Sequence, residues 1–127
     1  MKIVHAFPPN IEAIREKCTP NEHTVFTYGN TLYNPGRWKI GRELMVHEEV
    51  HVKQQGNDPE GWWEKYLADP QFRLSQEIPA YRAQWKATLR GNEKDKLGML
   101  RIFARDLSSE IYGNVISFEE AMTKIRQ

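Results

Sequence analysis

The amino-acid sequence predicts a mostly helical α+β domain in which a small N-terminal β-sheet packs on a central helix. Strand-like segments, rich in β-branched and aromatic residues, are confined to residues 1–40. In the rest of the chain, helix start and stop signals bound segments whose apolar residues recur every three or four positions. With 127 residues, of which 39% are apolar, the chain suits one domain with one core. We expect this domain to divide into residues 1–40, 41–90 and 93–127.

The chain begins with a predicted strand and a short helix. Residues 2–7 have strand character, and the Pro8-Pro9 pair ends them because proline lacks the N–H that a sheet requires. Asn10 is then a suitable N-cap for a helix over residues 11–17.

A hairpin and a longer helix follow. Residues 24–28 and 31–33 are predicted strands joined by Gly29-Asn30, a two-residue turn typical of β-hairpins. From about Arg42 to Gln55 the apolar spacing predicts a helix, which Gly56-Asn57 ends. This helix carries the most informative motif of the chain, so we call it the motif helix.

Two Asp-Pro pairs predict the next helix starts. In Asp58-Pro59 and Asp69-Pro70 the aspartate suits an N-cap and the proline suits the first helical position. The second of these helices should run to about Arg90, where Gly91-Asn92 stops it. Pro79 lies inside it and should bend or divide it about one turn earlier.

The C-terminal segment should be helical as well. A helix is predicted from about Glu93, and Ser117 with Glu120 forms a capping box for a last helix that reaches Ile125. The tryptophans are expected in the core or in the wall of a cleft: Trp38, Trp62, Trp63 and Trp85.

Charge and hydropathy exclude several classes of partner. Eighteen basic and 17 acidic side chains leave a net charge of +1, and no block of like charges favours nucleic-acid binding. No apolar stretch is long enough for a signal peptide or a membrane span. A cytoplasmic location is the expectation, and the lone cysteine, Cys18, agrees with a reducing compartment because it has no internal partner.

The motif His47-Glu48-Glu49-Val50-His51 predicts a metal site on the motif helix. His47 and His51 are four positions apart, so both imidazoles leave one face of a helix and can bind a single zinc ion. Glu48 lies beside the metal rather than on it, where its carboxylate can take a proton from water. Zinc would lower the pKa of that water to about 7 and polarise a peptide carbonyl. The competing interpretation is a solvated helix whose histidines pair with nearby glutamates.

A catalytic zinc site needs a third protein ligand and one open position. No histidine follows His51, so the candidates are carboxylates on later segments. Of these we choose Glu77, because it lies on a separate helix long enough to pack beside the motif helix, whereas Asp58 and Glu60 suit a cap and a first helical turn. The full set of candidates is Asp58, Glu60, Glu64, Asp69 and Glu77.

Over roughly residues 2–90 the chain resembles the smallest gluzincins, zinc metallopeptidases in which two motif histidines and a later glutamate hold the metal. The likeness rests on the motif with Gln54 after it, on Glu77 followed by Ala80 and Tyr81, and on the order strand, helix, hairpin, motif helix. Pro79, two residues after Glu77, departs from that pattern. Such compact chains are also similar to phage- or prophage-encoded peptidases.

The resemblance implies a zinc-dependent endopeptidase whose partner is a peptide or protein substrate. The strand at residues 31–33 or its neighbour should form the edge of the cleft, where an extended peptide can pair. Tyr81, Tyr112 and Arg82 could each stabilise the oxyanion, and Tyr81 is the first choice because it lies one helical turn after Glu77. The alternative is a noncatalytic zinc-binding interaction or assembly domain with the same fold but no accessible cleft.

Overall fold

The computed structural model describes residues 1–88 and 93–127, and it confirms a mostly helical α+β fold. A short 3₁₀ helix, Glu110–Tyr112, lies between the last two α-helices. Within the described residues, no helix combines the length and apolar character that a membrane span requires. In chain order the main elements are β1 (Lys2–Val4), α1 (Ile11–Lys17), β2 (Phe26–Tyr28), β3 (Thr31–Tyr33), α2 (Arg42–Gln55), α3 (Pro59–Ala68), α4 (Pro70–Ala87), α5 (Glu93–Leu107) and α6 (Phe118–Arg126).

The small sheet has the strand order β1-β3-β2. β3 is central, parallel to β1 and antiparallel to β2, and Leu32 at its middle is fully buried. Gly29 begins the hairpin turn with φ 64°, a conformation that glycine adopts without steric strain. β1 is shorter than the predicted strand over residues 2–7. The sequence predicted the hairpin but not the parallel pairing, which joins segments that are far apart along the chain.

The predicted helix boundaries after the sheet are confirmed. α2 begins at Arg42 and ends at Gln55, and Gly56 follows with φ 54°. Asp58 caps α3 by accepting from the Gly61 N–H at 2.9 Å, and Asp69 caps α4 by accepting from the Gln71 N–H at 2.9 Å.

Asn10 occupies the expected position before α1, but its side chain does not cap the helix. Its amide nitrogen and oxygen are both buried without a hydrogen-bond partner among the described residues. The prediction was right about where the helix starts and wrong about what its first turn bonds to.

The helix α4 runs unbroken through Pro79, so the proline does not divide it. Proline has no N–H to offer the carbonyl one turn earlier, but the flanking turns keep the helix continuous. The predicted run to Arg90 and the stop at Gly91-Asn92 lie outside the described residues. In the C-terminal segment α5 and α6 are present, and the Ser117 hydroxyl accepts from the Glu120 N–H at 3.1 Å, as a capping box requires.

The described part of the chain contains two apolar clusters. The C-terminal cluster, between α4, α5 and α6, consists of Leu74, Leu100, Phe103, Ala104, Leu107, Tyr112, Ala121 and Ile125. The aromatic cluster, between α1, β2 and α3, consists of Ile14, Phe26, Trp62 and Trp63.

The tryptophans do not all lie where the sequence predicted. Trp62 and Trp63 are buried in the aromatic cluster, and Trp85 packs against the C-terminal cluster. Trp38 is 45% exposed and stacks on His23 with ring centroids 4.2 Å apart, so its expected place in the core or a cleft wall is wrong.

Candidate metal centre

Two helices bring three potential metal ligands together. His47 and His51 project from one face of α2, and Glu77 projects from α4, which packs along α2. The Oε1 atom of Glu77 lies 3.0 Å from His47 Nε2 and 2.9 Å from His51 Nε2, and the two Nε2 atoms are 3.2 Å apart. The three donor atoms therefore meet at one point, and the cluster can hold a metal ion.

The cluster is buried beside a small cavity. His47, His51 and Glu77 are each 5–7% exposed. The cavity has a volume of about 70 Å³ and is bordered by β2, by α3 and by all three potential ligands. We call it the metal cavity.

Glu48 lines the same cavity and is 7% exposed. Its Oε2 atom accepts a hydrogen bond from the Thr27 hydroxyl at 2.7 Å. This bond comes from β2, so the sheet fixes the orientation of a carboxylate that α2 places next to the ligands. The motif helix and the sheet together define where Glu48 points.

The charge of Glu77 favours a positive charge beside it, either on the imidazoles or on a bound cation. Burial lowers the pKa of His51, but the charge of Glu77 and its hydrogen bond outweigh burial and raise that pKa to about 9. For His47, burial is likewise outweighed by Glu77, and the pKa is raised. Burial raises the pKa of Glu77, yet the two imidazoles reverse this and hold it well below the usual range. A bound cation would satisfy the same carboxylate without protonating the imidazoles.

Two glutamines fix which ring nitrogen of each histidine faces the centre. Gln54 donates its amide N–H to the Gln76 carbonyl at 2.9 Å, so its amide oxygen must face His51 Nδ1, 2.8 Å away. The amide oxygen of Gln84 lies 2.8 Å from His47 Nδ1. An oxygen facing Nδ1 requires the proton there, which leaves the Nε2 lone pairs free for a metal.

The second oxygen of Glu77 is held by a tyrosine. The Tyr66 hydroxyl donates to Glu77 Oε2 at 2.5 Å, so Oε1 alone faces the imidazoles. Burial, followed by the charge of Glu77, raises the pKa of Tyr66 well above its ordinary value, so the hydroxyl keeps its proton. Tyr66 therefore favours binding of a metal through one carboxylate oxygen.

Tyr81 lies on the other side of the histidines. Its ring packs edge-on against His47 with centroids 4.8 Å apart, and its hydroxyl donates to Asp106 Oδ2 at 2.5 Å. Tyr112 reaches the same carboxylate at 3.4 Å. The structure thus places Tyr81 against a metal ligand, but its hydroxyl is directed to α5 rather than to the metal cavity.

The remaining candidate carboxylates lie away from the centre. Asp58 and Asp69 cap helices, as the sequence predicted for both, while Glu60 and Glu64 are exposed on α3. Glu77 is the carboxylate that joins the histidines in the described cluster.

The cleft edge differs from the predicted one. β3 is the central strand, so the expectation that residues 31–33 form the edge of the cleft is wrong. The prediction also allowed a neighbouring strand, and β2 is such a neighbour at the edge of the sheet. The Thr27 carbonyl of β2 already accepts from Gln55 Nε2 at 2.8 Å and from Trp63 Nε1 at 2.9 Å. At Thr27 the acceptor that an added strand needs is therefore occupied.

Several residues of the centre were not identified from the sequence. Gln84 follows Glu77 by seven positions on α4, which is a same-face spacing that could have indicated it. Thr27 and Tyr66 had no such signal, because they approach the centre from other elements.

Comparison with known proteins finds no family model that matches this chain, no similar curated protein and no similar solved structure. What defines the centre is therefore its own geometry: a buried set of two histidines and one glutamate that can hold a metal ion.

Proposed function

We propose that this protein is a zinc-dependent peptidase of the gluzincin type, in which His47, His51 and Glu77 bind the metal and Glu48 is the general base. The observation that carries the proposal is the arrangement around the metal cavity. Three donor atoms converge there, and the second carboxylate that lines the cavity, Glu48, bonds to Thr27 instead of joining them. A purely structural zinc site gains nothing from a free carboxylate beside it.

The donor set fits zinc in kind and in spacing. Two imidazole nitrogens and one carboxylate oxygen are ligands of known catalytic zinc sites. Ligand atoms about 2.0–2.1 Å from a tetrahedral zinc ion lie roughly 3.3 Å from one another. The observed separations of 2.9–3.2 Å differ from that value by only a few tenths of an ångström. Glu77 held by Tyr66 supplies one oxygen, which leaves a fourth position for water or substrate.

Zinc, when bound, would act as a Lewis acid toward the scissile carbonyl and lower the pKa of the attacking water. Glu48 then accepts a proton from that water and returns it to the leaving amine. The Thr27 hydroxyl engages Glu48 Oε2, so Oε1 is the oxygen left for this transfer. Gln54 and Gln84 keep the histidines in the required tautomer.

The residue whose hydroxyl would stabilise the oxyanion is the least defined part of the proposed mechanism. We predicted Tyr81 for it, and that role would require its hydrogen bond to Asp106 to break. Tyr66 is the tyrosine that lines the metal cavity, but its only O–H already donates to Glu77 Oε2, so the same role would require that bond to break as well.

One observation favours the second candidate, a noncatalytic metal-binding interaction domain. The metal cavity of about 70 Å³ holds an ion and one or two waters, since water occupies about 30 Å³ of liquid. A peptide backbone therefore needs further space beside it. We retain the peptidase as the leading proposal, with a peptide or protein partner and a cytoplasmic location, because Glu48 has no evident use in the alternative.

The test is a peptide-cleavage screen on the zinc-loaded protein beside Glu48→Gln. This variant keeps the shape of the side chain and removes the base, so cleavage should fall about 10²- to 10⁴-fold while zinc content stays at one per chain. Glu49→Gln is the matched control, because the same change falls on the next, exposed residue of the helix. Equal cleavage by wild type and Glu48→Gln would refute the mechanism, and no cleavage by any zinc-loaded form would favour the interaction domain.

The ligand set is tested separately by zinc affinity. Glu77→Gln should weaken zinc binding at least 10-fold, whereas Glu64→Gln, an exposed glutamate on α3, should leave it unchanged. Equal affinity of Glu77→Gln and wild type would mean that another carboxylate completes the site.

A further inference from the structure

A second cavity lies next to the metal cavity on the side of the aromatic cluster. Its volume is about 200 Å³, and we call it the apolar pocket. Its walls come from the end of α1, from the loop that follows, from β2, from α3 and from the 3₁₀ helix near the C-terminus. The residues that line it are Ile14, Cys18, Thr19, Pro20, Thr24, Val25, Phe26, Trp63, Tyr66 and Ile111.

The two cavities adjoin each other. They share four lining residues, Val25, Phe26, Trp63 and Tyr66. Tyr66 gives the closest connection, since its hydroxyl bonds to Glu77 Oε2 while the same side chain lines the apolar pocket. The pocket is therefore no farther from a metal ligand than the length of one tyrosine side chain.

The chemistry of the walls selects an uncharged, apolar occupant. None of the described residues that line the pocket is Asp, Glu, Lys, Arg or His. A charged side chain entering it would lose hydration and would meet no charged residue among those that line the pocket. A cavity of about 150 Å³ lined by apolar side chains is known to admit benzene, so about 200 Å³ suffices for a leucine or phenylalanine side chain.

The far wall of the pocket is fixed by a buried arginine. Arg73 is 8% exposed and donates from Nε to the Ile111 carbonyl at 3.0 Å. Its Nη1 also donates to the carbonyls of Tyr66 at 2.5 Å and Leu67 at 3.0 Å. Arg73 thereby joins the end of α3 to the Ile111 segment, and Tyr66 and Ile111 from these two segments border the pocket. A preformed wall reduces the entropy lost when a ligand binds.

We propose that the apolar pocket receives one large apolar side chain of a peptide, such as leucine or phenylalanine, whose neighbouring peptide bond lies at the metal centre. This substrate preference rests on the proposed peptidase function, whereas the binding preference itself does not. The pocket supplies the space that the metal cavity lacks, so the two together accommodate a residue and the adjacent bond.

The experiment measures binding rather than turnover. Blocked tetrapeptides carry Gly, Leu, Phe, Asp or Lys on either side of a central bond, and their affinity for zinc-loaded Glu48→Gln is measured by calorimetry. Burial of a leucine or phenylalanine side chain should tighten binding about 10- to 100-fold over glycine at one of the two positions. Aspartate and lysine at that position should bind no better than glycine.

Cys18 provides a way to fill the pocket. Cys18→Phe should remove most of the preference for leucine and phenylalanine, whereas Lys17→Phe, which places the same ring on an exposed neighbour, should retain it. If Cys18→Phe does not fold, a benzyl thiosulfonate reagent attaches a similar group to the lone cysteine of the native protein. Burial raises the pKa of the Cys18 thiol, so labelling requires alkaline buffer.

The outcomes separate this proposal from the peptidase. Cleavage by wild type without any preference for apolar side chains, or unchanged preference after Cys18 is blocked, overturns the pocket and leaves the peptidase standing. Selective binding of leucine and phenylalanine peptides that Cys18→Phe abolishes, without cleavage by wild type, supports the pocket and refutes the peptidase.

Discussion

The two apolar clusters beside the motif helix are built differently. The C-terminal cluster is largely aliphatic, and Leu100, Leu107 and Ile125 are completely buried in it. The aromatic cluster contains Trp62 and Trp63, whose indole N–H groups bond to Gln76 and to the Thr27 carbonyl. Cavities of about 70, 190 and 200 Å³ all border Trp63.

The two clusters therefore differ in how closely they pack around the metal centre. Close aliphatic packing holds α4, and therefore Glu77, in place from one side. Large aromatic side chains with polar edges leave cavities on the other side, beside Trp63. His47 packs edge-on against Tyr81, which lies against the C-terminal cluster, and His51 contacts the ring of Trp62 in the aromatic cluster, so the histidines lie between the two.

Truncation of a leucine should have the largest effect and should reveal the difference in packing. Leu107→Ala removes a fully buried side chain from the C-terminal cluster and should lower the free energy of unfolding by about 4 kcal/mol. Ile14→Ala borders the apolar pocket, where part of the contact is already missing, and should lower it by about 2 kcal/mol. Urea unfolding of both variants measures this, and equal losses would contradict the comparison.

A change of pH should alter the stability that the metal centre contributes and leave the contribution of the C-terminal cluster unchanged. In metal-free protein the pKa of His51 is raised from 6.5 to about 9 by Glu77, although burial opposes the shift. The resulting stability is fully present below pH 6.5 and is lost as pH rises through 9, by on the order of 2–3 kcal/mol. Unfolding of chelator-treated protein between pH 6 and 10 measures the loss.

The control for the pH experiment is Leu107→Ala. Because no group that titrates in this range is removed, the variant should lie below wild type by the same amount at every pH. Added zinc should reverse the trend, since protons compete with the metal for the imidazoles and stabilisation by zinc grows with pH. A flat profile in metal-free protein would contradict the charge coupling at the centre.

Tyr66→Phe tests how the aromatic side contributes to the metal site. Loss of the hydrogen bond to Glu77 Oε2 should weaken zinc binding about 10-fold, because contacts to the ligands orient them. Tyr33→Phe is the control, since Tyr33 packs on the same cluster from β3. Competition with a chromophoric chelator gives the affinities. If both variants bind zinc as wild type does, Tyr66 fills space and does not position Glu77.

The smallest expected effects concern the helix caps. Loss of a cap should cost the same stability beside the aromatic cluster as beside the C-terminal cluster. Asp58→Ala removes the cap of α3 beside the aromatic cluster, and Ser117→Ala removes the cap of α6 beside the C-terminal cluster. Each should lower the free energy of unfolding by about 1 kcal/mol, because a cap satisfies local N–H groups whatever lies behind the helix. A loss several times larger at one cap would show that it also supports packing.

Local signals in the sequence were sufficient to predict most of the helices and strands and the pair of histidines in the site. The spacing of His47 and His51 depends only on helix geometry, and the bounds of α2 follow from Gly56 and from the apolar pattern. Glu77 was chosen by elimination among carboxylates because the alternatives had clear local uses such as the cap at Asp58, and the structure places it in one cluster with both histidines.

Only the tertiary structure decided what surrounds those ligands. Thr27 and Tyr66 reach the centre from β2 and α3, and no spacing within one element predicts a meeting between elements. The same reason explains why the strand β3 is central rather than an edge and why Tyr81 bonds to Asp106. The sequence by itself determined which residues can bind a metal, because that depends on local geometry. The packing of distant segments decided how those residues are oriented, how far they are buried and which cavities lie beside them.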